Sequence, residues 1–330
     1  MADRIDFVLP WVDGENPQWR QRFLEYSKNA GGDAREIRYR NWDLLPYWFR
    51  AIEKFAPWVG KIHFITSGEF PDWLNLEHPQ LNWVRHEDYI PSSYLPTFSA
   101  NTIEMNLHRI KGLAEKFVYF NDDCFITRKV PSSRFFHNGL PCDFGVMTAK
   151  PASGGIIHMA INDLEVIERH FDKHRMLKQH FLKWINLRYG NKVLNNILLF
   201  PWKEFSGFID PHLPNAFLKT TFEKVWNTEP RLLEQTGKSK FRSDSDVNQW
   251  LIRYWQLAEG NFKPRNTVKN TLCTDITDSS ILQICNAIKE QAYDIVCMND
   301  STEISDFQTY KKLLQDSFVT ILPEKSAFEL

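Results

Sequence analysis

Two carboxylates, Asp122 and Asp123, stand side by side after the apolar run "FVYF" at 117–120 and Asn121. Adjacent carboxylates repel, so a fold that keeps both ionised supplies a cation or strong donors. A hard divalent ion, Mg²⁺ or Mn²⁺, is one such partner, because it takes oxygen ligands and bridges a carboxylate to a substrate phosphate. On spacing alone, an equal alternative has Asp122 capping the following turn and Asp123 solvated. Glu104 poses a similar choice. Asn101-Thr102-Ile103-Glu104 fits a variant capping box, while Glu104 and His108, four apart on one helix, would share a flank and face one site; on spacing the cap is favoured. His212 in "DPHLPNAF", Arg242 in "KFRSDSDVNQW" and Asp300 in "CMND" are polar residues in loop-like context. A phosphate site would want such a histidine and arginine, although each taken singly reads as an ordinary surface or capping residue. The sequence holds no phosphate-loop, dinucleotide, zinc-protease or hydrolase-elbow pattern.

The elements that must position these groups read as alternating strands and helices. "IDFVL" at 5–9 and "KIHFIT" at 61–66 are apolar strands that end in turn signals, Asp13-Gly14 and Ser67-Gly68. Between them Leu45, Trp48, Phe49, Ile52 and Phe55 recur at helical spacing. "LNWVRHED" reads as a third strand, "NTIEMNLHRIKGLAEKF" as a helix and "FVYF" as a fourth strand. Such alternation predicts an α/β fold with a mostly parallel, Rossmann-like sheet flanked by helices, whose ligands lie at the carboxyl edge. Asp13, Ser67 and Asp122-Asp123 all fall at that edge.

From 171 to 202 the chain turns helical, basic and aromatic, which reads first as an amphipathic layer with a solvated basic face, and second as a peripheral membrane contact. Residues 211–257 read as helix-rich, 261–278 as a polar loop, and "AYDIVCMND" as a late strand ending in Asn299-Asp300.

Composition narrows the classes. A net charge of -1 gives no general attraction to nucleic acid, so an anionic ligand must be held by local clusters. The five cysteines are odd in number, scattered and without C-x-x-C spacing, which argues against a disulfide framework and a structural zinc site and fits a reducing cytoplasm. Asp3, Arg4 and Asp6 occupy the place where a signal peptide needs an apolar stretch, and no later apolar run reaches the length of a membrane span.

Taken together, "IDFVLPWVDGENPQW", "RAIEKFAPWVGKIHFITSGEFPDWL", "LPTFSANTIEMNLHRIKGLAEKFVYFNDD", "HLPNAF" with "KFRSDSDVNQWL", and "VCMND" resemble the motif regions of the Stealth family of sugar-phosphate transferases, in order, from Ile5 to Asp300. That resemblance implies a GT-A-like nucleotide-sugar-binding fold: an α/β part at 1–150, a helical basic and aromatic insertion at 151–209, and the remainder of the catalytic domain at 210–330. It implies transfer of a sugar 1-phosphate, typically N-acetylhexosamine 1-phosphate, from a UDP-sugar to a glycan hydroxyl, with release of UMP. A bacterial capsular or cell-wall polysaccharide on a lipid carrier is the expected acceptor, met by a cytoplasmic enzyme at the inner face of the membrane.

Glu104, Asn121 and Asp123 fall on active-site positions of the family motifs, and Asp13-Gly14 on the nucleotide-side motif. Trp11, Ser67, Asn101, His108, Arg109, Asn299 and Asp300 complete the expected substrate-binding set. Asp122 and Asp123 are the expected metal ligands, and Glu104 or Asp123 the expected base. Two departures stand out: Ser301-Thr302-Glu303-Ile304 follows the last Asn-Asp where animal members have a histidine, and the sequence stops at "FEL", Leu330, where those members continue to an arginine. His212 and Arg242 are the expected substitutes. The rival readings are a metal-dependent glycosyltransferase that releases UDP and a non-catalytic carbohydrate-binding component.

Overall fold

The structure is a computed structural model that describes residues 4–28, 39–151 and 155–330. Its eleven strands among the described residues are β1 (Ile5–Pro10), β2 (Ile62–Thr66), β3 (Leu81–Arg85), β4 (Lys116–Tyr119), β5 (Cys124–Ile126), β6 (Phe136–His137), β7 (Leu140–Asp143), β8 (Asn215–Leu218), β9 (Lys263–Pro264), β10 (Thr271–Asp275) and β11 (Ile295–Asn299). The main sheet runs β3-β2-β1-β4-β8, with β1 to β4 parallel and β8 antiparallel to β4. This is the mostly parallel α/β sheet that the alternating pattern predicts. The order places a topological switch point between β1 and β4, where the chain leaves for opposite sides of the sheet and opens a crevice at the carboxyl ends.

The strands are apolar because both faces are covered. Along β1, Phe7 and Leu9 enter one core and Val8 the other; along β4, Val118 enters the first, Phe117 and Tyr119 the second. The first core is closed by the helices Leu45–Phe55, Ile281–Lys289 and Phe307–Ile321. The second is closed by Ile156–His170, Lys219–Thr228 and Gln249–Ala258, and every residue of the last is buried. The helical region after residue 155 thus shares its core with the sheet: Leu164, Ile167, Met176 and Trp184 pack in the same cluster as Phe217 and Trp255.

Four local readings change. The strand "LNWVRHED" stops at Arg85, and a short helix, His86–Tyr89, follows, with the Asp88 side chain accepting from the Arg85 amide. The expected long helix from Asn101 is only Ala100–Met105, followed by a 3-10 turn, Leu107–Arg109, and a turn at 111–112 before β4. The polar stretch 261–278 contains β9 and β10, the latter paired with β11 in a second sheet ordered β10-β11-β5. Strand β8 was hidden in a stretch read as helical.

Candidate active site

A cleft of about 620 Å³ opens at the switch point. It is lined by Pro10 and Trp11 from the end of β1, Tyr119, Asn121, Asp122 and Asp123 around the end of β4, and Asn299 and Asp300 from the end of β11. Glu104, His212 and Arg242 reach it from three separate segments.

Glu104 is 6% exposed. Tyr119 Oη donates to Glu104 Oε1 at 3.0 Å, and the Gln249 amide, at the N-terminus of its helix, donates to Oε2 at 3.4 Å. Burial pushes the Glu104 pKa up, and Arg242, the Tyr119 hydroxyl and the Gln249 amide offset this only in part. The helix start that would make Glu104 a cap lies elsewhere, since Ser99 is the N-cap residue, so the capping-box reading gives way to a buried acid aimed into the cleft. The helix carrying Glu104 is anchored by its neighbours. Asn101 Nδ2 donates to Asp246 Oδ2 at 3.0 Å, and Asp246 in turn accepts from Ser239 Oγ and the Ser243 amide, which shapes the segment bearing Arg242.

Asn121, Asp123 and His212 form one contact group. His212 Nε2 lies 3.0 Å from Asp123 Oδ2 and 3.1 Å from Asn121 Nδ2. Burial works against a charged His212, but the Asp123 carboxylate outweighs it and raises the imidazole pKa. Asp122 projects into the cleft, where water reaches it although protein surrounds it; that enclosure and then the adjacent Asp123 push its pKa up to about 7. The Asp122-Asp123 repulsion that the sequence raises is therefore met in part by the His212 partner of Asp123.

The expected metal can be tested against the donors present. Asp123 lies with Cys124, His212 and Cys297 in a group whose ligand atoms are all within 4.8 Å of one another, so the site can hold a metal. A hard ion needs only one or two carboxylates when substrate phosphate and water complete its shell. Asp123, with Asp122 beside it, fits that requirement, and the two thiols contribute nothing to it.

Of the other expected substrate-binding residues, Trp11, Asn101, Asn121, Asn299 and Asp300 line the cleft, and Asp300 pairs with Arg40 at 3.2 Å. Asp13, Gly14, Ser67, His108 and Arg109 do not line it. Asp13 Oδ1 accepts from the Glu15 amide in a turn, and Ser67 donates to Glu69. Gly14 packs on Tyr39, where a Cβ would meet the Tyr39 carbonyl at 2.2 Å, so its role is to let that cleft-lining residue close in. Because the helix ends at Met105, His108 no longer shares a flank with Glu104. Its ring packs near Phe222 and Trp226, and Arg109 lies over the Trp226 ring at 4.6 Å.

Sequence reasoning missed Tyr119, Gln249 and Arg40. Tyr119 carried a signal, since it is the polar-tipped residue of an apolar strand that ends at the carboxyl edge. Gln249 and Arg40 gave none.

An acid held near a histidine and an arginine, at the carboxyl edge of a parallel sheet, defines an enzyme that handles an anionic substrate. Comparison with known proteins agrees. Residues 38–142 match the family model "Stealth protein CR2, conserved region 2". The chain is 45% identical over 334 residues to the capsular polysaccharide phosphotransferase WcwK of Streptococcus pneumoniae, covering 99% of this chain and 98% of that one. It is 38% identical to the receptor polysaccharide phosphotransferase WefC of Streptococcus gordonii over the whole of both chains (100% and 100%), and 36% identical to the exopolysaccharide phosphotransferase cps2G of Lactiplantibacillus plantarum over 98% and 96%. Among solved structures, the apo-form glycosyltransferase GlyE of Streptococcus pneumoniae aligns with 91% of this chain and 74% of its own at 11% identity and a TM-score of 0.25, too low to assign a fold. The chain belongs to the Stealth family, and it is a phosphotransferase that moves a sugar phosphate in polysaccharide synthesis.

Proposed function

We propose that the donor is a UDP-sugar, the acceptor a glycan hydroxyl and the leaving product UMP. The observation that carries this reading is the convergence of Glu104, Asp123, His212 and Arg242 on one cleft from four separate segments. The acceptor oxygen attacks the β-phosphorus in line, the bond from that phosphorus to the bridging oxygen breaks, and the bridging oxygen departs with UMP. Glu104 takes the acceptor proton. Its raised pKa brings it nearer the working pH than an ordinary carboxylate, which suits a general base. His212, held by Asp123, and Arg242 face the phosphates and offset the charge that develops there. Trp11, Asn121, Asn299 and Asp300 position the donor. Asp123 and Asp122 would hold a Mg²⁺ or Mn²⁺ ion, which supplies charge neutralisation on the diphosphate when bound. With a donor labelled at the β-phosphorus, the label moves into the acceptor product; label left in UDP would overturn the reading.

The acceptor is lipid-linked, and the region 171–202 rests on the membrane that carries it. What supports this is an outward apolar set: Leu182 is 77% exposed, Leu187 90%, Leu198 73% and Trp202 56%, while Arg175, Lys178, Arg188 and Lys192 are exposed nearby in the chain. Exposed apolar side chains interspersed with cations fit an anionic lipid surface. Lys173 is not part of that basic set, because it is buried and donates to the Leu199 and Trp202 carbonyls. No helix among the described residues is long and apolar enough to cross a membrane.

A further inference from the structure

Three cysteines that are scattered in the sequence are neighbours in the second sheet. Cys273 on β10 pairs in register with Cys297 on β11, and Cys297 with Cys124 on β5, so the three thiols lie on adjacent strands and on one face. Strand pairing thus brings side by side cysteines that have no C-x-x-C spacing in the sequence. At the β5 side of this row, Cys124 Sγ donates to Asp123 Oδ1 at 3.3 Å and Cys297 Sγ approaches the same oxygen at 3.6 Å. The other oxygen of Asp123 holds His212. Two thiols, a carboxylate and an imidazole thus converge.

The transfer reaction has no use for the two thiols, and both are fully buried. Sulfur is a poor ligand for a hard ion but a preferred one for zinc and related metals. Zinc bonds of about 2.3 Å to thiolate and about 2.0 Å to imidazole or carboxylate put tetrahedral donors roughly 3.3–3.8 Å apart. The group, already within 4.8 Å, needs only small side-chain shifts to close on an ion. Asp123 and His212 line the cleft and give an ion its entry path, with Cys124 and Cys297 beneath them.

We propose that Asp123, Cys124, His212 and Cys297 form a site for a zinc-class divalent ion, and that filling it stops transfer by withdrawing Asp123 and His212 from the phosphates. On binding, the two thiols release their protons to solvent and form two sulfur–metal bonds. The inhibitory half rests on the roles proposed above for Asp123 and His212; the binding half does not.

Cobalt is the probe. Reduced protein, without nucleotide, is titrated with Co²⁺ and then with Zn²⁺. The expected result is one Co²⁺ per chain with strong thiolate-to-cobalt absorption, displaced by Zn²⁺. Cys297→Ser and, as an apolar replacement that keeps the core filled, Cys124→Val each weaken cobalt binding at least tenfold, whereas Cys285→Ser, buried outside the group, leaves it unchanged. Transfer by the Cys297→Ser protein tolerates at least tenfold more Zn²⁺ than the original chain. No thiolate absorption, or equal cobalt binding by the variants, overturns the site. A site that forms while Zn²⁺ leaves transfer untouched overturns the inhibition and the assigned roles of Asp123 and His212.

Discussion

His212 Nε2 sits 3.0 Å from Asp123 Oδ2 although 89 residues separate them in the chain. The antiparallel pairing of β4 and β8 explains this: Tyr119 is opposite Asn215, so the residues just after β4 meet those just before β8. Asp123→Asn and His212→Ala should each lower turnover about a hundredfold or more in protein that still folds. The double variant should lose much less than the product of the two losses, because the pair acts as a unit. Multiplicative losses in single and double variants would show that they act separately.

Glu104→Gln should reduce turnover by about 10²–10⁴ while leaving the fold intact. A carboxylate whose pKa is higher folded than unfolded contributes stability below its unfolded pKa, and that contribution is lost as pH rises through the folded value. At pH 8 the Gln variant should therefore melt no lower than the original chain. A clear drop in melting temperature would assign Glu104 to structure.

The same shift fixes the acid limb of the activity profile. As pH falls through the raised Glu104 pKa the base is protonated, so kcat/KM should fall at a pH above the ordinary glutamate value of about 4.3. Glu104→Gln should remove that limb from whatever activity remains. A limb at the ordinary value would point to a different base.

His108 should be replaceable. Burial, then the charges of Arg109 and Lys219, lower its pKa to about 3. A histidine held neutral in this way favours the fold above its unfolded value of about 6.5, and this is lost as pH falls from there toward 3. His108→Phe should keep near-normal turnover and flatten the acid-side loss of stability, read as melting temperature from pH 7 to 5. A hundredfold fall in turnover would return His108 to the site.

Flotation with vesicles tests the membrane surface. The chain should float with anionic vesicles more than with neutral ones, and Leu182→Glu with Leu198→Glu should abolish this without lowering transfer to a soluble acceptor. Equal flotation of the double variant would remove the region 171–202 from the contact.

The parallel sheet was legible because apolar strands buried on both faces carry a strong local signal, as in "IDFVL" and "KIHFIT". The cleft was legible at its strand ends, where Trp11, Asn121 and Asp123 follow β1 and β4 directly. Long-range pairing was not. Strand β8 is only four residues, and no residue of the five-residue β10 is fully buried, so neither shows a clear apolar periodicity. The meeting of Cys124 with Cys297, made by the β5–β11 pairing, and that of Glu104 with Gln249, made between two helices, likewise had no trace in local sequence. His108 misled for a related reason: its four-residue spacing has meaning only if the helix continues past Met105.

The most direct test of the account is the nucleotide released when the purified chain is incubated with Mg²⁺ or Mn²⁺, a UDP-sugar and a glycan acceptor. UMP is the expected product, formed in step with a phosphodiester in the glycan. UDP would mean that the bond breaks on the sugar side of the phosphate, and would contradict it.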